Sequence, residues 1–416
     1  MSNDMKPEIR FPGFTEDWEQ RKVGEFYDFK NGLNKEKEFF GSGVPIVNFV
    51  DVFHNRGLTP EMLKGRVTLS EKEIKNFEVK QGDIFFTRTS ETINEIGYPS
   101  VMLGAPTDTV FSGFVLRGRA RSVDPMNNLF KRYVFFTESF RNEMVKKSSM
   151  TTRALTSGTA IKEMYVQYPT SKDEQHKIGA FLAQIDETIT LKQRKLDLLK
   201  ETKKGFLQKM FPKNGAKVPE IRFPGFTEDW EERKLQEVLR ERNNQQPQSM
   251  EYPLVSFTVE NGVTPKTDRY EREQLVVGDK SSKKYKVTVL NDIVYNPANL
   301  KFGAISRNKY GNAVFSPIYI TFLVNNDVTT PEFIEMFVTR NDFIKRALKY
   351  QQGTVYERQS VSPTDLLAMN VYLPGKSEQE KIGSFFQQLD ETIALHQRKL
   401  DLLKETKKGF LQKMFV

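Results

Sequence analysis

The sequence predicts an α+β protein in which two mixed domains of similar fold are joined by two long helices. Three observations lead to this prediction. Two segments of the chain are repeated almost unchanged, each repeat ends in a proline-free stretch with coiled-coil spacing, and the regions between the repeats contain short β-rich runs. Because the repeat period is about half the chain, each half is a domain with its connector rather than one unit of a solenoid.

The first repeated segment is PEIRFPGFTEDWEQRK at Pro7–Lys22, which returns as PEIRFPGFTEDWEERK at Pro219–Lys234. The second is QRKLDLLKETKKGFLQKMF at Gln193–Phe211, which returns letter for letter at Gln397–Phe415. The regions between the copies hardly match. A duplicated frame around two unlike inserts indicates a molecule that presents two different recognition surfaces in fixed relation.

Long helices are predicted over about Glu174–Phe211 and about Glu378–Phe415, since neither stretch contains proline. Their apolar residues alternate at spacings of four and three, which is typical of a coiled-coil seam. Two identical seams favour pairing with each other, and two equal halves favour an antiparallel coiled coil with pseudo-twofold symmetry. The predicted helix-pairing seam consists of Ile178, Leu182, Ile185, Ile189, Leu196, Leu199 and Phe206, with Ile382, Phe386, Leu389, Ile393, Leu400, Leu403 and Phe410.

Both inserts are predicted to be α+β domains, because short β-rich runs such as DIFFTR at Asp83 and DIVYNP at Asp292 alternate with turns and a few helices. Asp83-Ile84 in the first insert corresponds to Asp292-Ile293 in the second, which favours one fold with two surfaces. The predicted division is an N-terminal repeated segment (1–23), a first insert domain (24–170), a central helix (171–211), a linker with a repeated segment (212–234), a second insert domain (235–375) and a distal helix (376–416).

The composition describes an ordinary water-soluble globular protein, with 38% hydrophobic and 28% charged residues among 416. No signal peptide and no apolar run near the roughly 18 residues of a membrane helix is found, so a cytoplasmic location is expected. The absence of cysteine excludes disulfides, thiolate metal sites and a cysteine nucleophile. The three histidines are far apart and form no metal-binding motif.

The formal charge of +9 favours a polyanionic partner, because neutralisation of phosphates by Lys and Arg is the sequence-independent part of nucleic-acid affinity. Charge alone equally fits a basic protein that binds no particular partner. Catalytic motifs occur only as fragments. Phe39, Gly41 and Gly43 spell FxGxG without the (N/D)PP(F/Y) motif of an adenine methyltransferase, and Gly375-Lys376-Ser377 lacks the opening glycine of a phosphate-binding loop. The chain is therefore predicted to be non-catalytic.

Two polar loops are the predicted base-reading elements, because they follow the shared Asp-Ile pair in both inserts. An exposed arginine suits guanine and an asparagine suits adenine in the major groove, and lysines suit phosphates. Each of these residues also fits an ordinary solvated loop. The candidate DNA-binding residues are Thr87, Arg88, Thr89, Ser90, Lys146, Lys147 and Arg153 in the first insert, and Lys283, Lys284, Asn296, Asn299, Lys301, Arg358 and Gln359 in the second.

The repeated blocks resemble the specificity subunit of a type I restriction-modification system. The resemblance rests on FPGFTEDWE near the start and again mid-chain, on EQHKIG at Glu174 and EQEKIG at Glu378, and on KLDLLKETKKGFLQKMF at both helix ends. It covers the whole chain, including both copies of the frame. Inside the inserts the similarity is one of layout only, so no residue role is transferred to them.

The resemblance implies that the inserts are target recognition domains, each reading one half of a bipartite double-stranded DNA site, while the helices set the spacer. It also implies two modification subunits that methylate adenine N6 with S-adenosylmethionine, and restriction subunits that use ATP with Mg²⁺ to translocate and cut unmethylated DNA. This chain would hold no cofactor or metal of its own. The alternatives are a coiled-coil scaffold that binds no DNA and, less favoured, an autonomous DNA-modifying enzyme.

Overall fold

The structure, a computed structural model, describes residues 5–213, 215–266, 283–353 and 359–416. The chain divides into two units, one containing residues 1–194 and 398–416 and the other residues 195–397. Each unit therefore contains one insert, one of the two copies of the first repeated segment, and part of each long helix.

The first unit is built around a five-stranded sheet and contains further, smaller sheets. The strands of the whole unit are β1 (Glu19–Lys22), β2 (Tyr27–Asn31), β3 (Phe40–Val47), β4 (Gly57–Leu58), β5 (Arg66–Val67), β6 (Ile84–Thr87), β7 (Thr89–Ser90), β8 (Pro99–Met102), β9 (Val110–Phe111), β10 (Val115–Ala120), β11 (Ser149–Met150), β12 (Ala154–Leu155) and β13 (Tyr165–Tyr168). Its helices are α1 (Val23–Phe26), α2 (Phe49–His54), α3 (Glu71–Asn76), α4 (Asn128–Val134), α5 (Glu138–Lys147), α6 (Gly158–Lys162) and the first part of α7 (Lys172–Lys209).

The second unit repeats this plan with shorter sheets. Its strands are β14 (Glu231–Lys234), β15 (Leu239–Glu241), β16 (Gln245–Gln246), β17 (Val255–Thr258), β18 (Gly262–Pro265), β19 (Tyr285–Thr288), β20 (Ile293–Tyr295), β21 (Ile305–Arg307), β22 (Ala313–Phe315), β23 (Ile320–Val324) and β24 (Asn370–Leu373). Its helices are α8 (Leu235–Val238), α9 (Pro331–Val338), α10 (Asn341–Ala347), α11 (Pro363–Leu367), the end of α7 and the first part of α12 (Lys376–Lys413).

The main sheets of the two units have matching topology. The order is β2-β10-β6-β8-β4 in the first unit and β15-β23-β20-β21 in the second. The central strands β6 and β20 are buried throughout because each separates two cores. Ile84 and Phe86 face one core while Phe85 faces the other, as the period of two in a strand requires. Ile293 and Tyr295 alternate with Val294 in the same way. The prediction of one α+β fold in both inserts is confirmed.

The long helices α7 and α12 pair in antiparallel orientation, as predicted. In the first unit the rings of Phe181 and Phe410 are 4.9 Å apart between centroids. In the second unit those of Phe206 and Phe385 are 5.1 Å apart. Residue numbers rise along one helix as they fall along the other, which defines the orientation.

The predicted seam residues are all withdrawn from solvent to some degree. The fully buried members are Ile178, Leu182, Leu196, Ile382, Phe386 and Leu400. The half-buried members are Ile185, Ile189, Leu199, Phe206, Leu389, Ile393, Leu403 and Phe410. Each helix begins two residues before the predicted start, at Lys172 and Lys376. In α7 the reason is that the Ser171 hydroxyl accepts a hydrogen bond from the Glu174 amide.

The repeated segments form the same contacts in both units. The guanidinium of Arg10 forms a bidentate ion pair with Glu174, with distances of 2.6 and 2.8 Å, and Arg222 forms one with Glu378, with both distances 2.7 Å. Both carboxylates are 1% exposed. These pairs fasten the repeated N-terminal segment to the first turns of a long helix. The duplicated sequence thus makes the same ion pair between the repeated segment and the long helix in both units.

The candidate DNA interface

The first-unit candidates converge on one small sheet, although they lie far apart in the chain. Strand β7 pairs with β12, with Ser90 opposite Ala154 and Thr89 opposite Leu155. Strand β12 also pairs with β11, so Arg153 lies in the turn between two paired strands. Helix α5 ends at Lys147, directly before β11. The fold therefore collects Arg88–Ser90, Arg153 and the Lys146–Lys147 pair on one edge of the first unit.

The burial of these side chains divides them into two groups. Thr87 is fully buried, and its hydroxyl accepts a hydrogen bond from the Tyr98 amide at 2.8 Å. The Ser90 hydroxyl, also buried, accepts from the Thr92 amide. Neither side chain has surface to offer a base, so the predicted DNA contact of both is corrected to a role inside the fold. A polar side chain at a strand end satisfies neighbouring backbone donors when another segment covers it.

The exposed members of this edge are basic. The Arg153 side chain is 64% exposed and lies 3.3 Å from Glu91, and Lys147 lies 3.9 Å from Glu143. Exposed ion pairs of this kind contribute little stability. Both cations are therefore available to phosphate or base acceptors. Lys146 is exposed, and Arg88 and Thr89 are half-buried.

The second-unit candidates form a comparable loop after β20. The side chain of Asn296 is mostly buried, and its carbonyl oxygen accepts from the Ala298 amide at 3.1 Å, so it shapes the turn instead of facing solvent. The predicted base contact of Asn296 is corrected accordingly. Asn299 is exposed, and Lys301 extends over the ring of Phe302. The loop of residues 296–303 is therefore the exposed polar surface at this position.

The segment just before α11 packs beside this loop. The Tyr295 hydroxyl donates to the Val361 carbonyl at 3.1 Å. Gln359 is half-buried and its side-chain amide donates to the Gly353 carbonyl. Arg358 lies outside the described residues. Gln359 lies two residues before Val361, whose amide donates to the Pro297 carbonyl of the loop.

One backbone hydrogen bond recurs in both units and relates the two loops. The Thr156 amide donates to the Arg88 carbonyl at 3.1 Å, and the Val361 amide donates to the Pro297 carbonyl at 3.3 Å. In both cases the next residue, Ser157 or Ser362, caps the following helix. The fold therefore sets two loops in the same backbone position and gives them different side chains.

Lys283 and Lys284 lie elsewhere in the second unit. Both are exposed and precede β19, which pairs with β16 and β22 in a separate sheet. The amine of Lys283 lies over the ring of Tyr285. Contact of these two lysines with DNA phosphates stays a prediction.

Two exposed apolar side chains next to the loops are absent from the sequence prediction. Phe114 and Ile318 are each 61% exposed and end the matching runs FSGF and FSPI. The Phe114 carbonyl accepts from the Arg88 amide at 3.0 Å, which places it beside the first loop. Apolar side chains in such positions contact thymine methyl groups. The shared Phe-Ser pair was the signal that could have identified them.

A buried aspartate directly precedes the strand that leads into each loop. The Asp83 carboxylate accepts a hydrogen bond from the Lys80 amide and forms a bidentate ion pair with Nε and one Nη of Arg119, at 2.7 and 2.6 Å. Asp292 accepts from the Val289 amide and pairs with Arg242, at 2.8 and 3.0 Å. Burial raises the pKa of the Asp292 carboxyl, although the Arg242 guanidinium opposes the shift. The shared Asp-Ile motif is thus structural. Its partner arginine comes from a different place in each unit, since Arg119 lies in β10 and Arg242 directly follows β15.

The described residues contain no group of three or more metal-binding side chains close enough to hold an ion. None of the described helices is both long and apolar enough to cross a bilayer. The arrangement offers two exposed polar loops with basic residues around them. It is suited to binding rather than to bond breaking.

Comparison with known proteins also indicates a binding role. A family model described as the type I restriction modification DNA specificity domain matches residues 15–201 and again residues 227–405. The putative type I restriction enzyme MjaX specificity subunit of Methanocaldococcus jannaschii is 21% identical, covering 95% of this chain and 92% of its own. The type I restriction enzyme MjaIX specificity subunit of the same organism is 20% identical, with 96% and 92% covered.

Solved structures share the fold. The type I restriction-modification system S subunit from M. genitalium superposes with a TM-score of 0.59 at 14% identity, covering 99% of both chains. A chain from a study of complex assembly and conformational transition in a type I R-M system gives a TM-score of 0.52 at 15% identity, covering 98% of this chain and 99% of its own. At these identities the similarity is one of fold.

Proposed function

The chain belongs to the type I restriction-modification DNA specificity family, and from that membership we propose that each of its two units reads one half of a bipartite, double-stranded DNA target. The chain is then the specificity subunit of the complex and is not itself catalytic. The observation that carries the proposal is the recurrent backbone hydrogen bond at Arg88 and Pro297. It sets one loop in the same place in both units, while the exposed side chains differ.

The exposed chemistry of the loops supports two unlike half-sites. Arg88 and Arg153 offer guanidinium forks, which suit the O6 and N7 acceptors of guanine. Asn299 offers an amide, which suits the N6 and N7 groups of adenine. Phosphate contacts from Lys146, Lys147 and Lys301 would add affinity without sequence preference. Two loops with different donors read two different sequences.

The helices supply matched surfaces for two copies of one partner. Leu191 and Leu198 on α7 are 57% and 68% exposed, and their counterparts Leu395 and Leu402 on α12 are 45% and 68% exposed. A spacing of seven places each pair on one helix face. Two modification subunits that methylate adenine N6 with S-adenosylmethionine fit this duplication. Restriction subunits that use ATP and Mg²⁺ complete the proposed complex, which acts on DNA in the cytoplasm.

Methylation mapping in cells tests the proposed function directly. DNA is compared between cells that carry this chain with its cognate modification subunit and cells that lack only this chain. We expect adenine methylation at one bipartite motif, which disappears when the chain is removed. Methylation without a motif, or methylation that is unchanged without the chain, would contradict the proposal and favour a scaffold that binds no DNA.

Substitutions in the two loops are expected to affect separate half-sites. Arg153→Ala should weaken binding by about 1–3 kcal/mol and relax the preference at one base of the first half-site only. Asn299→Ala should do the same at the second half-site. The measurement is competition binding of the complex to duplexes with single base changes in either half.

The matched control is Arg21→Ala, which removes the same charge from β1 of the first unit, where Arg21 lies beside Glu19 and Glu25. This variant should keep both half-site preferences. Loss of both half-sites in either loop variant would show that the loops do not read independently.

A further inference from the structure

A cavity of about 850 Å³ opens in the second unit, far in sequence from the readout loops. It lies between the last turns of α7, the segment that follows them, and the start of α10. The repeated helix contributes Lys200, Lys203 and Lys204 to its walls. The insert contributes Arg340, Lys345 and Arg346, and the connecting segment adds Lys213. The lining contains a single carboxylate, Asp342, so positive charge is in large excess.

Only part of this charge is neutralised by protein groups. Lys203 pairs with Asp390 and Arg340 with Asp342, each at 2.5 Å. Lys204 lies 3.6 Å from Glu201 and Lys213 lies 2.9 Å from Glu220, and these two pairs are exposed to solvent, which screens them. Lys200 and Lys345 form no ion pair with any described residue. Cations held together around a concave, partly apolar surface repel each other, and the field that they create attracts anions. A bound anion would relieve this repulsion.

Arg340 gives the cavity a fixed donor at its base. Its side chain is 7% exposed, and the guanidinium lies over the ring of Phe211 at 4.6 Å and near that of Phe337 at 5.6 Å. Nε and one Nη bond to Asp342. A guanidinium held in this way, with lysine side chains around it in the cavity lining, matches the several oxygens of a phosphoryl group better than a single carboxylate.

The corresponding position in the first unit lacks this character. A cavity of about 240 Å³ lies there between α5, β13 and the residues that follow α12, and its lining includes Glu143 but no lysine or arginine. The repeated helix places Lys404, Lys407 and Lys408 in the same sequence context as Lys200, Lys203 and Lys204. The two cavities therefore differ in their cations because the second insert and the connecting segment add Arg340, Lys345, Arg346 and Lys213 to those of the repeated helix.

We propose that this cavity of the second unit binds consecutive phosphoryl groups, either those of a DNA backbone or those of a nucleoside polyphosphate. Helix α10 begins at the cavity and contacts the turn Leu300–Phe302 of the readout loop. Its seven residues span about 10 Å. A DNA backbone that passes the second half-site is thus within reach. The site goes beyond base reading, because none of its side chains belongs to either loop.

The repeated helix provides a matched test in the full chain. The variant Lys200→Gln/Lys204→Gln removes two exposed cations at the cavity, and Lys404→Gln/Lys408→Gln removes the same two residues from the identical sequence in the first unit. Both variants carry the same net charge. Affinity is measured for two probes, inorganic tripolyphosphate and a 30-base-pair duplex without the recognition motif. Circular dichroism checks that both variants keep their helix content.

We expect the Lys200/Lys204 variant to lose roughly tenfold in affinity for at least one probe, and the Lys404/Lys408 variant to change less than about twofold. A loss confined to the duplex identifies the DNA backbone as the ligand, and a loss confined to tripolyphosphate identifies a free polyphosphate. Equal effects of the two variants on both probes, including no effect, would overturn the proposal. The methylated motif should be unchanged in either case, so this test is separate from that of the proposed function.

Discussion

Replacing Lys131 with Met is expected to destabilise the first unit by about 3–5 kcal/mol, because it removes one partner of a buried ion pair. Lys131 is fully buried, and its amine donates to Asp124 at 2.6 Å and to the Gly82 carbonyl at 2.7 Å. The Tyr27 hydroxyl donates to the other oxygen of Asp124 at 2.6 Å. Burial lowers the pKa of Lys131 and raises that of Tyr27. Without the Lys131 amine, the Asp124 carboxylate loses the cation that donates to it, because Lys172 donates only to the backbone carbonyl of Asp124.

The two tryptophans of the chain allow this effect to be assigned to one unit. Trp18 is buried in the core of the first unit and Trp230 in that of the second. Urea denaturation is followed by fluorescence in a Trp230→Phe background, so that the signal comes from the first unit. The double variant Lys131→Met/Asp124→Asn should recover much of the loss, since no charge is then left unpaired. A loss below about 1 kcal/mol, or a double variant that is no more stable than the single one, would contradict this account.

Replacing Phe415 with Ala is expected to cost about 3–5 kcal/mol in the same unit. The ring of Phe415 stacks on Phe130, with centroids 5.4 Å apart, and meets the edge of Trp18 at 6.0 Å. It is 7% exposed, so its removal leaves a cavity in the core. The segment after α12 thus stabilises the unit that contains the N-terminal repeated segment. The midpoint of the Trp18 transition should fall, while that of Trp230 stays unchanged.

Two companion variants complete this experiment. Phe211→Ala is the twin, since Phe211 packs on Trp230 at 5.8 Å and on Phe333 at 5.4 Å, and it should lower the Trp230 transition instead. Leu402→Ala is the control, because Leu402 is 68% exposed on α12 and should change stability by less than about 0.5 kcal/mol. A drop in both transitions with Phe415→Ala would show that the units do not unfold independently.

The long helices could be predicted because their signal is local, and their antiparallel orientation followed from the duplication of two equal halves. A four-and-three spacing of apolar residues reports the face of a helix without reference to the rest of the chain. The identity of the repeats likewise indicates identical environments, and the Arg10–Glu174 and Arg222–Glu378 pairs show what the repeated residues do. The similar fold of the two inserts followed from a few matching positions, such as Asp83 and Asp292.

The candidate interface could be predicted only in outline. The two loops lie where the sequence indicated, but Thr87, Ser90 and Asn296 face the interior. Whether a polar side chain at a strand end is exposed depends on which later segment packs over it. Tyr98 covers Thr87, and the residues around Val361 cover the start of the second loop. Phe114 and Ile318 went unrecognised because an apolar residue in a sequence is ordinarily assigned to the core.

The duplicated frame, the helices with their seam, the likeness of the two inserts and the family were all evident from the amino-acid sequence alone. These features rest on periodicity within one stretch of the chain or on identity between two stretches, and both can be recognised without knowing which segments meet in space. Three features became evident only from the folded chain: which loop side chains remain exposed, which arginine pairs with each buried aspartate, and that Lys200 and Lys345 line one cavity. The physical reason is that burial and charge density arise from segments separated by tens to hundreds of residues, whose meeting no local pattern records.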